Sequence, residues 1–184
     1  YPLYIAANAS LTIDNTSTFT GNGIQAIGFP GRTVSSDLTL AKAQVPYHVL
    51  SQLYVQNTNT PPYPTLTIEP GTTLEFEPAA GIRIAAGNLY PASLVADGTE
   101  AQPITFTSFN GEAGGWSGIY FTNDSDDDGV TSVMDWCNVN RAGANLAGFG
   151  HTANIYCLLT SQPTITNSSF LNSSDLGMKL DTYS

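Results

Sequence analysis

The sequence predicts an all-β solenoid, and three observations carry that prediction. Apolar residues come in pairs separated by one residue, turn dipeptides follow at short intervals, and segments resemble one another at a spacing near twenty residues. Composition removes the main competitor. Of 184 residues, 22 are Thr, 16 Ser and 14 Asn, side chains that compete for helical backbone hydrogen bonds or lose χ1 freedom in a helix. A helical bundle or coiled coil is thereby excluded. With 41% hydrophobic residues the chain is also too apolar to stay disordered. Its length suits one domain with a buried core.

The paired apolar positions define the strands in order: Leu66-Thr67-Ile68, Leu74-Glu75-Phe76, Ile82-Arg83-Ile84, Ile104-Thr105-Phe106, Ile119-Tyr120-Phe121 and Met178-Lys179-Leu180. Period-two alternation buries one face of a strand and exposes the other. Each pair supports only a short strand before a turn signal such as Pro70-Gly71, Ala80-Gly81 or Asp97-Gly98. Short strands of this kind suit a sandwich, a barrel or a solenoid. Internal similarity decides. Trp136-Cys137-Asn138-Val139 matches Tyr156-Cys157-Leu158-Leu159, and the stretch from Asn15 to Ile24 resembles that from Asn167 to Gly177. A repeat of about 20–25 residues is one solenoid coil, which needs neighbours to bury its inner face. Asn-Gly and Asp-Gly hairpin signals, which a sandwich would show between strands of similar length, are sparse.

Several segments resemble a known family. Leu66 to Phe76, Leu94 to Ser108, Gly114-Gly115-Trp116-Ser117-Gly118-Ile119, Met134 to Cys137 and Pro163 to Phe170 are similar to right-handed parallel β-helix repeat proteins. These are segments of large bacterial or archaeal secreted and surface proteins with a pectin-lyase-like superhelix. The likeness covers roughly residues 60–184 well and 1–30 loosely. It implies a right-handed parallel β-helix with residues 1–29 as the closing coils of one cassette, 30–44 as an irregular connection and 45–184 as the next cassette. The family is defined by fold and hosts many functions.

Charge limits the partners. Five Lys+Arg against 15 Asp+Glu give a net charge of −10, which leaves no basic stripe for nucleic acid and disfavours anionic membranes and polyanionic sugars. No run approaches the ~18 apolar residues of a spanning helix. The Thr/Asn/Ser-rich, Lys-poor composition fits an extracellular or cell-surface location. Five glycosylation sequons, at Asn8, Asn15, Asn123, Asn167 and Asn172, fit the same setting. The chain opens at Tyr1 within what reads as a strand, so a mature protein or an excised piece is expected.

The sharpest chemical motif is Asp124-Ser-Asp126-Asp-Asp128-Gly129 with Asp135 at the twelfth place. This is the ligand order of an EF-hand or dockerin-type loop, in which alternate carboxylates converge on Ca²⁺ and a glycine allows the sharp turn. A solvated acidic loop is the competing reading, and no flanking helix is expected. Cys137 and Cys157 are expected at equivalent places in consecutive coils, within the Cα separation a disulfide accepts, or else as stacked buried thiols. His48 and His151 carry no signature of a Cys-His catalyst.

Catalysis gains little support. Acidic-sugar lyases resemble one another in needing Arg or Lys beside the reacting carbon, yet Arg32, Arg83, Arg141, Lys42 and Lys179 are scattered. Glycosidases need two facing carboxylates, for which Glu69, Glu75, Glu77 and Asp135 are the candidates. Tyr54, Tyr63, Tyr90, Trp116 and Tyr120 are the residues for a sugar-stacking surface, although Trp116 is expected to pack over the turn at Gly114-Gly115. The leading expectation is a non-catalytic segment of a surface protein, adhesin-like protein or filament. Neither end shows an obvious cap, so both ends are expected to stack on further coils of the same polypeptide or on other copies. The alternative is a carbohydrate-binding or carbohydrate-cleaving module.

Overall fold

The computed structural model describes residues 1–5, 13, 16–57, 60–85, 90–125, 129–144, 152–158 and 160–181. Among them the chain winds as a parallel β-helix. After β1 (Leu3–Tyr4), the first coil is β2 (Ile27–Phe29), β3 (Arg32–Val34) and β4 (Leu38–Leu40). The second is β5 (Tyr47–Val49), β6 (Leu53–Val55) and β7 (Thr65–Ile68), and the third β8 (Thr73–Phe76), β9 (Ile82–Ile84) and β10 (Ser93–Asp97). The fourth is β11 (Ile104–Ser108), β12 (Ile119–Phe121) and β13 (Val133–Asp135), and the fifth β14 (Cys137–Asn140), β15 (Ala153–Leu158) and β16 (Thr164–Thr166). β17 (Ser169–Leu171) and β18 (Leu176–Asp181) begin a sixth. Each coil gives one strand to each of three sheets, β1-β2-β5-β8-β11-β14-β17, β3-β6-β9-β12-β15-β18 and β4-β7-β10-β13-β16. Every strand pairing is parallel.

Register turns the strands into rows of side chains running along the solenoid. In the second sheet one inward row is Arg32, Leu53, Ile82, Ile119, Ile155 and Met178. The next is Val34, Val55, Ile84, Phe121, Cys157 and Leu180. The strands alternate as their sequences require: in Thr73–Phe76, Leu74 and Phe76 are buried while Thr73 and Glu75 are half-exposed. Burying each such side chain contributes about 1.5–3 kcal/mol. Trp116 lies wholly within this core, stacked on Phe76 at 4.2 Å and 10°. Its indole N–H donates to the Asn140 carbonyl at 2.8 Å. It therefore fills the interior between two sheets instead of covering the Gly114-Gly115 turn.

The bends between the third and first sheets use left-handed residues. Trp136 (φ 47°) links β13 to β14, and Asn167 (φ 45°) does the same one coil later. Where the coils crowd most, only glycine fits: Gly118 has φ 100°, and a Cβ there would strike the Ala153 carbonyl of the next coil. Buried polar groups complete the turns. Asn154 accepts from the Ala142 N–H at 2.9 Å and donates to the Leu171 carbonyl at 3.1 Å. Gln52 bonds the Ala79 carbonyl and the Ser117 hydroxyl.

Three expectations need correction. Residues 30–44 are not an irregular connection, because β3 and β4 lie there and pair with β6 and β7. Their alternation is short and interrupted by Ser35-Ser36-Asp37, which hides it. Coil length also varies more widely than 20–25 residues. The register advances 20 residues from Ile27 to Tyr47 and 27 from Tyr47 to Leu74. It then advances 32 from Leu74 to Phe106 and 33 from Phe106 to Val139. Longer turns absorb the difference. As a consequence, the twenty-residue spacing of Cys137 and Cys157 is not one coil. Cys137 lies on β14 in the first sheet beside Ile104, and Cys157 on β15 in the second beside Phe121. Neither cysteine is in a disulfide, and both are buried.

Candidate functional site

The sixth, partial coil forms the most distinctive surface. In β16 to β18 the alternation continues, so Ile165, Phe170, Met178 and Leu180 take inward positions below Met134, Val139, Ile155 and Cys157. Among the described residues no strand lies beyond them in any sheet. Leu180 is consequently 69% exposed, whereas Cys157, directly above it in the same row, is 5% exposed. Ile165, Phe170 and Met178 pack on the core by one side only. With Cys157 and Pro163 they line an open hollow of about 420 Å³. Polar groups on the rim are tied to one another: Tyr156 donates to Asp181 at 2.7 Å, and Thr152 donates to Asp175 at 2.5 Å.

The opposite end differs. β3 and β4 are also outermost strands, yet Val34 and Leu40 on them are buried, as is Ile5. Leu3, Ile13, Leu38, Ala43 and Val45 pack against the same core. The row that ends in Met178 at one end terminates in Arg32 at the other, with the guanidinium 5.1 Å from the Phe29 ring centroid.

A second cluster sits on the outer face of the first sheet. His48 is buried, stacked on Phe109 at 3.6 Å. Its Nδ1 lies 2.7 Å from the Tyr1 hydroxyl and its Nε2 3.0 Å from Glu77 Oε1. The neutral tautomer protonated at Nε2 satisfies both partners, with Tyr1 donating and Glu77 accepting. Burial lowers the His48 pKa below its ordinary value, and Glu77 opposes this in part. Glu75 is the register neighbour of His48, and burial raises its pKa. Sequence reading missed this cluster. The 27-residue coil from Tyr47 to Leu74 puts His48 and Glu75 in one outward row, a placement that a repeat of 20–25 residues conceals.

The residues expected to carry chemistry are dispersed. Asp124 follows β12 in a turn, while Asp126 and Asp128 lie outside the described residues. Asp135 is on β13, where Thr166 Oγ1 and Asn167 Nδ2 of the next coil donate to it at 2.6 and 2.9 Å. Those two hydrogen bonds hold its carboxyl below the usual range. Among the described residues no group of three or more His, Cys, Asp or Glu is arranged to hold a metal. His151, Asn8 and Asn15 also lie outside the described residues. Asn123 has its side-chain oxygen buried, Asn167 is engaged by Asp135, and Asn172 is exposed in a left-handed bend.

Of the lyase and glycosidase candidates, Glu75 and Glu77 come together beside His48, while the cations stay apart. Arg32 is at the first coil and Arg83 in the outward row of Tyr54, Tyr120, Tyr156 and Lys179. Arg141 bonds Asn140, and the Lys42 amide donates to Glu69 at 3.0 Å. Of the aromatic candidates, Trp116 and Tyr120 are buried and Tyr54 and Tyr63 half-buried, which leaves Tyr90 exposed.

Comparison with known proteins adds a single short likeness. No family model matches the chain. Over 86 residues it is 36% identical to "Protein bark beetle" of Drosophila melanogaster, a match that covers 47% of this chain and 2% of that protein. No solved structure matches. The chain thus spans a very small part of the relative it resembles.

Proposed function

We propose that this chain is a non-catalytic scaffold: a stiff parallel β-helix segment of an extracellular surface protein, adhesin-like protein or filament, joined to neighbours through its coil ends. The observation that carries the reading is the last coil, whose inward apolar residues stand where a core row would continue. Stacked strands about 4.8 Å apart give the stiffness, and loops of unequal length are presented along it. The dispersal of the cations over separate rows, and of Asp135 away from Glu75 and Glu77, supports a scaffold over an enzyme. Burial of Trp116 and Tyr120 removes two members of a sugar-stacking platform. The reading places Ca²⁺ on the acidic loop of Asp124, Asp126 and Asp128 as a stiffener of that loop.

Electron microscopy with a glycan array and a polysaccharide-turnover assay tests the scaffold. Rods or end-joined particles without turnover are expected; stoichiometric glycan binding or cleavage overturns the reading. For calcium, calorimetry should show heat that is lost in the Asp126→Ala, Asp128→Ala variant, and equal heats in both proteins would discard the ion.

A further inference from the structure

The outer face of the first sheet carries an aromatic and acidic cluster that the scaffold reading leaves unused. Phe109 follows β11, and its amide donates to the Phe76 carbonyl at 2.8 Å. One face of its ring lies on His48 at 3.6 Å and 16°, yet the residue stays 40% exposed. The bend beyond it is pinned. The Asn110 side chain accepts from the Glu112 amide at 3.0 Å, and the Ser108 hydroxyl donates to the Glu112 carbonyl at 3.1 Å. An exposed ring held in this way loses little further freedom when something binds to it.

Two carboxylates share that face. Glu75 is the register partner of both His48 and Thr107. Glu77 continues the strand, its amide donating to the Val49 carbonyl at 3.0 Å. Being two residues apart, they point the same way. Glu77 gives one oxygen to His48, and its side chain is still 38% exposed. Burial acts on Glu75 with no hydrogen bond or charge to offset it among the described residues. The chain's own cations are placed elsewhere. Arg32 lies over Phe29, Arg141 bonds Asn140, and Lys179 pairs with Asp181. Arg83 is on the second sheet and Lys42 beside Gly71. His48, its pKa lowered by burial, adds no positive charge at neutral pH.

We propose that Phe109, Glu75 and Glu77 form a docking patch for an arginine side chain on a basic segment of a partner protein. A guanidinium suits both halves of the patch. Its plane stacks on an aromatic ring, and its fork of N–H donors takes carboxylate oxygens. A lysine ammonium lacks the plane. A quaternary ammonium lacks donors and would leave the carboxylates without hydrogen bonds. The net charge of −10 favours a basic partner over an acidic one. The inference rests on the scaffold reading, in that it makes this face a place of attachment, and it names the chemistry of what attaches.

Titration of the full chain with the peptide acetyl-Gly-Arg-Gly-Arg-Gly-amide, followed by NMR at neutral pH and about 150 mM salt, tests this. Saturable shifts of the Phe109 and His48 ring resonances are expected, with a dissociation constant below about 1 mM. Replacing both arginines of the peptide by lysine should weaken binding by about fivefold or more. Phe109→Ala and Glu75→Gln should each weaken the arginine peptide by about fivefold. Asp97→Asn makes the same charge change on the third sheet and should leave binding unchanged. The amide spectrum of each variant confirms that it folds. Absence of saturable shifts overturns the proposal, as does a Phe109→Ala variant that binds like wild type. Equal binding of the lysine peptide, or equal weakening by Asp97→Asn, also overturns it, since charge attraction alone would then explain the result. Choline moving the same rings at lower concentration than the arginine peptide would assign the patch to a different cation. The scaffold reading survives each of these outcomes and falls only to glycan binding or turnover.

Discussion

The first and last coils are built from the same rows and end in opposite ways. Val34 and Leu180 occupy one row of the second sheet, five strands apart, and differ from 3% to 69% in exposure. Arg32 and Met178 terminate the row beside it, one with a charge and the other with an apolar thioether. Nothing in the strand alternation distinguishes them: Arg-Thr-Val and Met-Lys-Leu both put their first and third residues inward. What differs is the packing beyond the strand. Ile5, Leu3 and Ile13 pack at the first coil, and among the described residues no strand lies over the last. A solenoid row is thus a stability unit only as far as it is covered on both sides.

The largest expected effect compares phenylalanines at the two ends of the first sheet. Phe29 is buried on β2, and Phe170 is half-buried on β17. Phe29→Ala should cost about 3–5 kcal/mol, the usual loss for an enclosed ring with its cavity. Phe170→Ala in the monomer should cost on the order of 1 kcal/mol, because water already reaches part of the ring. Urea unfolding at concentrations where the chain is monomeric measures both. Equal losses would mean that the last coil is as well covered as the first, and the contrast would fail.

Acid should weaken the first coils before the last. His48 has its pKa lowered by burial, so the unfolded chain takes up the proton first as pH falls through about 6.5. Stability is therefore lost from neutrality downward until the folded-state value is passed. The groups facing His48 are Tyr1, Phe109, Glu75 and Glu77, with Tyr4 against Tyr1. Glu75, raised by burial, works in the opposite direction, since the folded state binds its proton first and gains stability on further acidification. Asp135, near the last coil, is lowered, so its contribution persists well below neutrality and is lost only as pH falls through and below the ordinary Asp value of about 3.9. Hydrogen exchange at neutral pH and near pH 5.5 should show faster opening around β2 and β5 but not around β13 and β16. His48→Gln should remove most of the difference; an unchanged pH response in that variant would point to another group.

How much of this the sequence carried depends on what each feature required. The solenoid followed from local alternation, as in Leu74-Glu75-Phe76 and Ile104-Thr105-Phe106, because burial of one strand face is a property of neighbours in sequence. Row membership did not follow. It depends on turn lengths that vary from coil to coil, so a twenty-residue match placed Cys137 and Cys157 in one sheet when they belong to two. The same variation hid the meeting of His48 with Glu77 and Tyr1. The closed first coil was equally illegible, since Val34 and Leu40 read like any other alternating pair and only their enclosure sets them apart.

The thiols give a finer probe of the same contrast. Cys137 is shielded on all sides, with its pKa raised to about 12 chiefly by burial. Its Sγ donates to the Ala96 carbonyl at 3.3 Å. Cys157 is buried too but lines the hollow at the last coil. Since only the thiolate is an efficient nucleophile, iodoacetamide at pH 8 should modify Cys157 first, and Cys137 only on unfolding. Peptide mass spectrometry reads the order. Simultaneous modification would mean that the core opens as a whole, and no modification of Cys157 would mean that the hollow is closed in solution. A dithiol reductant should leave the melting temperature unchanged, as neither cysteine is in a disulfide.

The smallest effect is the most discriminating. Leu180→Ala removes an inward-row leucine, a change that costs about 2–5 kcal/mol when the residue is enclosed. Ile84, in the same row and fully buried, should show that full loss on substitution by alanine. Leu180 loses only contacts along its upper side, to Cys157 and its neighbours, so in the monomer the change should stay within about 0.5 kcal/mol. If coil ends join as the scaffold reading proposes, the same methyl groups become enclosed and the cost should rise with protein concentration toward the buried value. Paired melts of wild type and variant across a hundredfold range of concentration measure that rise. A difference that stays small throughout would mean that nothing covers the row; one that is large even at the lowest concentration would mean that the coil is already covered within a single chain.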